Sequence, residues 1–345
     1  HCHGVGVAIH HYLARWDVSW QLEKALAESG IDLTIEQQNK LQELARNMMY
    51  YREGSQSPSQ HTSFVGNIMA SRIAALWDFN GPAFTISCGE NSVFKALEVA
   101  QNLLSQGEVD AVVVGGVDFS GGFENVLLRN QYSPVNQAER PSLPYNEGES
   151  GWLIGEGAGA IVLRASDAVK DTDIVYAKIN SIGQQDTSID AGLIELAATG
   201  FAAQDEAELK QLLSNSPQQA TALSSVKSNI GHTFAASGIA SLIKVALCLH
   251  HRFIPAVPNW NAPKQLDSFA TKSYYFPRES RPWISKNNRK ALVYGLEGMQ
   301  LEVSEVANTQ EHSNQPSSFF RENMPALIPL LGPSEADLQR QLSAL

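Results

Sequence analysis

The sequence predicts a layered α/β fold, and three observations carry that prediction. Runs rich in β-branched residues, such as DAVVVGG (110–116), alternate with segments of helical periodicity. Some runs are almost wholly apolar, as strands of a largely parallel sheet covered on both faces must be. The order of strands and helices in the first half returns in the second, which points to an internal duplication.

The bulk numbers agree. In 345 residues, 43% are hydrophobic and 18% charged, enough for a sizeable core. The net charge of -11 argues against a nucleic-acid partner, which would call for a basic face. Three cysteines fit a reduced, cytoplasmic setting better than a disulfide framework. No apolar run is long enough for a membrane span, and no signal peptide is visible. The opening HCHGVGVAIHH holds four histidines and Cys2. A metal site is conceivable there, but the plain reading is a strand entering the interior.

In chain order, residues 17–30 read as a helix, capped by Asp17 or Ser19 and stopped by Gly30. Residues 34–49 read as a second helix. Thr34 and Gln37 fit a capping box, and Leu41, Leu44, Ala45 and Met48 share one face. A polar loop covers 54–63, and a third helix 64–79 ends at Asn80-Gly81-Pro82. FTIS (84–87) reads as a short buried strand that stops at Cys88-Gly89, where a helix opens over 92–106. The apolar strand at 110–116 follows, then a polar loop (136–151) and a glycine-bearing, strand-like segment (152–166). A second series runs from 173–183 to a helix at 237–251. Two strands, near 290–295 and 299–306, close the globular part. The stretch from 307 reads as a polar linker leading into another module, so the expected division is 1–306 and 307–345.

The most specific string is VKSNIGHTFAASGIASLIKVAL (226–247). Lys227 can hold a ligand or orient a partner, and His232, at a strand–helix junction, can donate a hydrogen bond to a carbonyl oxygen. Taken singly, a solvated lysine and a core histidine would explain both. The whole string, however, resembles a signature of the β-ketoacyl synthases, the condensing enzymes of fatty-acid and polyketide synthesis. GNIMASRIAALWDFNGPAFTI (66–86) is similar to that family's approach to its nucleophile, and GWLIGEGAGAIVL (151–163) to its Gly-Glu-Gly-Ala strand pair. The resemblance spans roughly 64–306. It implies a thiolase-like fold, two duplicated α/β halves in an α-β-α-β-α layering. The family's first strands and helices are not present upstream of Gly4, which suggests an excerpt of a longer polypeptide.

Two departures matter. The family pattern runs Gly-Pro-x-x-Thr-x-Asp-Thr-Ala-Cys-Ser-Ser. Laid without gaps from Gly81-Pro82, it puts Glu90 at the nucleophile and Cys88 two residues early, as a small buried residue. A carboxylate cannot replace the thiolate that holds an acyl chain. Its charge near a helix N-terminus is simply stabilised. The segment for the first catalytic histidine, Glu-x-His-Gly-Thr-Gly-Thr, matches ELAATGF (195–201), so Ala197 stands where that histidine would be. GLEGMQ (295–300) replaces the usual glycine-rich closing motif and reads as a plain strand turn.

Lys227 and His232 thus match while two catalytic residues are gone. This pattern resembles chain-length factors, and in particular the chain-length-factor domain of multidomain polyunsaturated fatty acid synthases. The resemblance implies a partner, not a condensing enzyme. It would form a pseudo-dimer with an active ketosynthase along an edge near 83–88 and work with acyl carrier protein. No intrinsic cofactor is implied, the phosphopantetheine being the carrier's. Met49, Tyr50 and Tyr51 lie off the Leu41–Leu44 face and are the candidates for bounding the partner's acyl pocket, while Met48 reads as core. The alternatives are a residual malonyl-thioester decarboxylase using Lys227 and His232, and a scaffold that docks carrier protein.

Overall fold

Hairpins and crossovers decide how the strands pair. In the computed structural model, residues 22, 24, 26–49, 66–170, 172–184, 190–215, 217, 219–264, 269, 273–306 and 334–343 are described. A six-stranded sheet combines β3 (Lys178–Gln184), β4 (Leu193–Glu195), β5 (Thr221–Ser224), β7 (Tyr274–Tyr275), β9 (Lys290–Tyr294) and β10 (Met299–Ser304) in the order β3-β10-β9-β4-β5-β7. The β9-β4-β5-β7 pairs are parallel and the β3-β10-β9 pairs antiparallel. The expectation of a largely parallel sheet is therefore corrected to a mixed one. Residues 295–298 form a four-residue connection with Glu297 and Gly298 at positive φ, and a link that short allows only an antiparallel return. Between β4 and β5, by contrast, helix α5 (Ala202–Ser214) supplies the crossover a parallel pair needs.

A second, two-stranded sheet pairs β1 (Val112–Asp118) with β2 (Gly157–Leu163) antiparallel, from Val112↔Leu163 to Asp118↔Gly157. Helices α3 (Ser92–Ser105) and α7 (Ser237–His250) pack against strands of both sheets. Strand alternation sorts the core. Leu193, Ala222, Ala291 and Val293 join Phe94, Leu97, Ile239 and Val245 on one face of the large sheet. Ile194, Leu223 and Leu292 join Leu212 of α5 and Phe276 on the other. Strand pair, helices, sheet and helix thus form successive layers, while Val113, Ala158, Ala160 and Val162 of the small sheet face solvent.

The remaining elements are short or peripheral. They are α1 (Ile35–Met49), α2 (Asn67–Leu76), α4 (Phe123–Asn130), α6 (Lys227–Ile230), the β6–β8 pair (Phe253–Ile254 with Arg281–Pro282) and α8 (Glu335–Ser343). The capping box holds: Thr34 N donates to Gln37 Oε1 (2.9 Å) and Gln37 N to Thr34 Oγ1 (3.3 Å). Gly30 takes φ +67, as a helix stop should.

Three expectations fail. Leu41 and Leu44 are exposed rather than core, because a 3.6-residue stripe marks a face suited to burial without supplying the surface that buries it. Residues 84–87 form no regular strand, Phe84 is 48% exposed, and Cys88 is exposed rather than buried. A strand exists only through a ladder, and this segment joins none of the three sheets among the described residues. Tyr50 and Tyr51, the side chains of Met48 and Met49, the histidine-rich opening and 307–333 lie outside the described residues.

Candidate functional site

The site forms where the turn before α3 meets two crossing segments. Gly89 at φ +56 turns the chain into α3, and Ser92 Oγ closes the turn by accepting from Cys88 N (2.9 Å) and donating to Gly89 O (2.5 Å). Asn91 clamps the β9–β10 turn. Its Nδ2 donates to Leu296 O (3.0 Å) and its Oδ1 accepts from Leu296 N (2.9 Å). GLEGMQ is thus part of the site wall as well as a strand turn.

Opposite, residues 154–155 cross residues 230–232 so closely that only glycine fits. A Cβ on Gly231, at φ +75, would lie 2.1 Å from Ile154 O, and one on Gly155 would lie 2.4 Å from Ile230 O. An isolated bridge between Ile154 and His232 fixes this crossing, with His232 N donating to Leu153 O (2.8 Å).

These segments bring Glu90, Ala197, Lys227 and His232 together. His232 is fully buried. Its Nδ1 accepts from Phe234 N (3.1 Å), so the neutral ring carries its proton on Nε2. That Nε2 stands 3.2 Å from Glu90 Oε2, off the line of a well-formed hydrogen bond. Burial pushes the His232 pKa down despite Glu90, so the ring is neutral. Burial alone would raise the Glu90 pKa, but His232, Lys227 and Arg129 together hold it below the usual carboxylate value.

Two further groups, the Phe234–Arg129 stack and a buried carboxyl pair, were not singled out from the sequence. Phe234 stacks on His232 (4.2 Å between centroids), and the Arg129 guanidinium lies 3.6 Å over the Phe234 ring. Phe201, at the last threonine of the family segment, packs 5.7 Å from the His232 ring. Beneath the site a buried carboxyl pair holds the 197–200 loop. Glu208 accepts from Ala197 N (2.6 Å) and Ala198 N (2.9 Å) and pairs with Tyr145 Oη, while Asp205 accepts from Thr199 N (2.8 Å) and Gly200 N (3.0 Å). Lys227 Nζ donates to Ala197 O. Burial raises the pKa of Glu208, and burial with Glu208 raises that of Asp205 to about 7.

The chemistry follows. Ala197 offers only its backbone, Glu90 holds a carboxylate 3.2 Å from His232 Nε2, and His232 is a neutral donor. The cavity lined by Glu90, Ala197, Lys227 and Gly295 has about 10 Å³, room for one water and not for an acyl chain. No cluster of metal-ligating side chains occurs among the described residues.

Comparison with known proteins bears on this arrangement. The model of the β-ketoacyl synthase N-terminal domain matches residues 23–168, and that of the C-terminal domain matches 150–261. The chain belongs to the β-ketoacyl synthase family. It is 30% identical to a polyunsaturated fatty acid synthase polypeptide of Thraustochytrium sp., over 86% of this chain and 16% of that protein. Among solved structures it resembles the PfaC keto synthase-chain length factor, with TM-score 0.61 and 33% identity over 88% of this chain and 31% of that one. It also resembles the ketosynthase from module 6 of the bacillaene synthase of Bacillus subtilis 168, with TM-score 0.62 and 26% identity over 74% and 53%. The chain therefore spans a small part of the curated protein and about half of the single ketosynthase. The fold is the thiolase-like ketosynthase fold. No helix among the described residues is long and apolar enough to cross a membrane.

Proposed function

We propose that this chain is a non-condensing ketosynthase-like domain that pairs with an active β-ketoacyl synthase and shapes acyl chain length in polyunsaturated fatty acid or polyketide biosynthesis. The observation that carries the reading is Glu90. At the position the family gives its nucleophilic thiol stands a carboxylate, 3.2 Å from His232 Nε2, above a cavity of about 10 Å³. Ala197 removes the second proton-handling group. Exposed Leu76, Trp77, Phe79 and Phe84, leading into the same turn, offer an apolar surface suited to a partner ketosynthase. In this reading acyl carrier protein brings substrates on its phosphopantetheine, the setting is cytoplasmic, and the domain covers 1–306 with a linker from 307. Met49, Tyr50 and Tyr51 are the candidates for bounding the partner's pocket.

The test is reconstitution. Incubated with a radiolabelled acyl donor, the denatured chain stays unlabelled, and adding it to a matched active ketosynthase changes product length. Stable label on Cys88, or products that ignore this chain, would overturn the reading. Retention of Lys227 and of a neutral, proton-donating His232 favours a second reading, a malonyl-thioester decarboxylase. Carbon dioxide release from malonyl-carrier protein by the chain alone separates the two.

A further inference from the structure

The charge of this chain is unevenly placed. Residues 252–290 hold eight Lys and Arg against two Asp and Glu, a net of +6 in a chain of net -11. The fold gathers part of that excess onto one ribbon, built around the β6–β8 pair. Residues 252–257 run antiparallel to 277–283. Phe253 pairs with Pro282 and Ile254 with Arg281, Trp283 N donates to Arg252 O (2.7 Å), Ala256 N to Ser280 Oγ (2.9 Å) and Val257 N to Pro277 O (2.8 Å). Arg252, Arg278 and Arg281 on the ribbon, Lys264 just beyond Asn261 and Lys286 just beyond Trp283 are all exposed. Arg278 Nη2 donates to Asn261 O, and the Arg281 guanidinium lies 4.4 Å over the Tyr275 ring. Both guanidiniums are thus held in place, so less side-chain entropy is left to lose on binding. Lys264, Arg278, Arg281 and Lys286 join no ion pair among the described residues. Arg252 meets Glu305 at 3.5 Å, but Arg289 already holds that carboxylate at 2.9 Å. Exposed Glu279 is the acidic residue of the ribbon itself. Ile284, 45% exposed, and half-buried Trp260 add apolar surface beside the charges.

We propose that this ribbon docks an acidic peptide segment of a partner protein. The planar guanidinium fork takes a carboxylate through two parallel hydrogen bonds, and Arg278 and Arg281 each keep N–H groups free for one. A basic face on an otherwise acidic chain also steers an acidic partner to this face, because the rest of the surface repels it. The same net charge disfavours a nucleic acid, whose phosphates the rest of the chain would repel. Ile284 and Trp260 give an apolar side chain of the peptide a place to pack, which a bare polyanion cannot use. The inference stands on the ribbon and not on Glu90 or on pairing with a ketosynthase, so either can fail without the other.

The experiment is fluorescence anisotropy of the full chain with a fluorescein-labelled peptide, Glu-Leu-Glu-Glu-Leu-Glu. Wild type should bind it saturably, with an affinity that falls as sodium chloride is added. The same peptide with glutamine for every glutamate should not bind. Replacing both arginines, Arg278→Gln with Arg281→Gln, should weaken binding about tenfold, since each exposed charge contact contributes modestly. Lys40→Gln, which removes an exposed charge from helix α1, should leave the affinity unchanged. Unlabelled peptide should displace the probe at lower concentration than heparin of equal charge. No saturable binding by wild type, equal binding of the glutamine peptide, full affinity in the double variant, an equal loss in Lys40→Gln, or displacement by heparin as effective as by peptide overturns the proposal. If the double arginine variant does not fold, Lys264→Gln with Lys286→Gln decides, and an affinity equal to wild type there overturns it.

Discussion

Replacing Asp205 by asparagine probes how the loop carrying Ala197 is held. Asp205 accepts two backbone N–H groups and the Thr199 hydroxyl (3.0 Å), yet burial and the neighbouring Glu208 raise its pKa from 3.8 to about 7. A carboxyl with a raised folded pKa binds its proton more tightly folded than unfolded. Its contribution is complete below pH 3.8 and is lost as the pH climbs through about 7. At about 1.36 kcal/mol per pKa unit, wild type should lose about 3 kcal/mol between pH 5 and pH 8 through this group. The amide introduced by Asp205→Asn cannot titrate, so that slope should vanish while any pH-independent cost of the exchange remains. Urea unfolding of both proteins at pH 5, 6, 7 and 8 reads the difference directly. Parallel stability profiles for wild type and Asp205→Asn across that range would refute the reasoning.

Glu90→Cys alone should yield no condensing activity, since Ala197 still supplies no base; a turnover like that of an active ketosynthase would show that Ala197 is not the missing position. Gly231→Ala should destabilise by about 2–4 kcal/mol, because φ is +75 and the new Cβ would meet Ile154 O at 2.1 Å; an unchanged urea midpoint would deny the crossing. Phe234→Ala should lower stability by about 3 kcal/mol through lost packing on His232 and Arg129, read as a drop in melting temperature; an unaltered melt would remove the stack from the site.

Much of this protein was legible in the chain because the determinants are local. Helices α1, α3 and α7 follow from 3.6-residue periodicity and from Thr34 and Gln37. The β1 and β2 strands follow from β-branched runs, and Lys227 and His232 sit in one contiguous string. What escaped depends on partners far along the chain. Periodicity marked Leu41 and Leu44 for burial but could not name a covering surface, and 84–87 looked like a strand although a ladder partner is a tertiary matter. Nothing near Asn91 signals its clamp on Leu296, 205 residues away. Nor does Arg129 announce that it stacks on Phe234, or Glu208 that it carries the Ala197 amide. Local sequence sets propensity and burial pattern. Which side chains face one another is decided only when crossing segments fold together, and that placed the Glu90 carboxylate 3.2 Å from His232 Nε2.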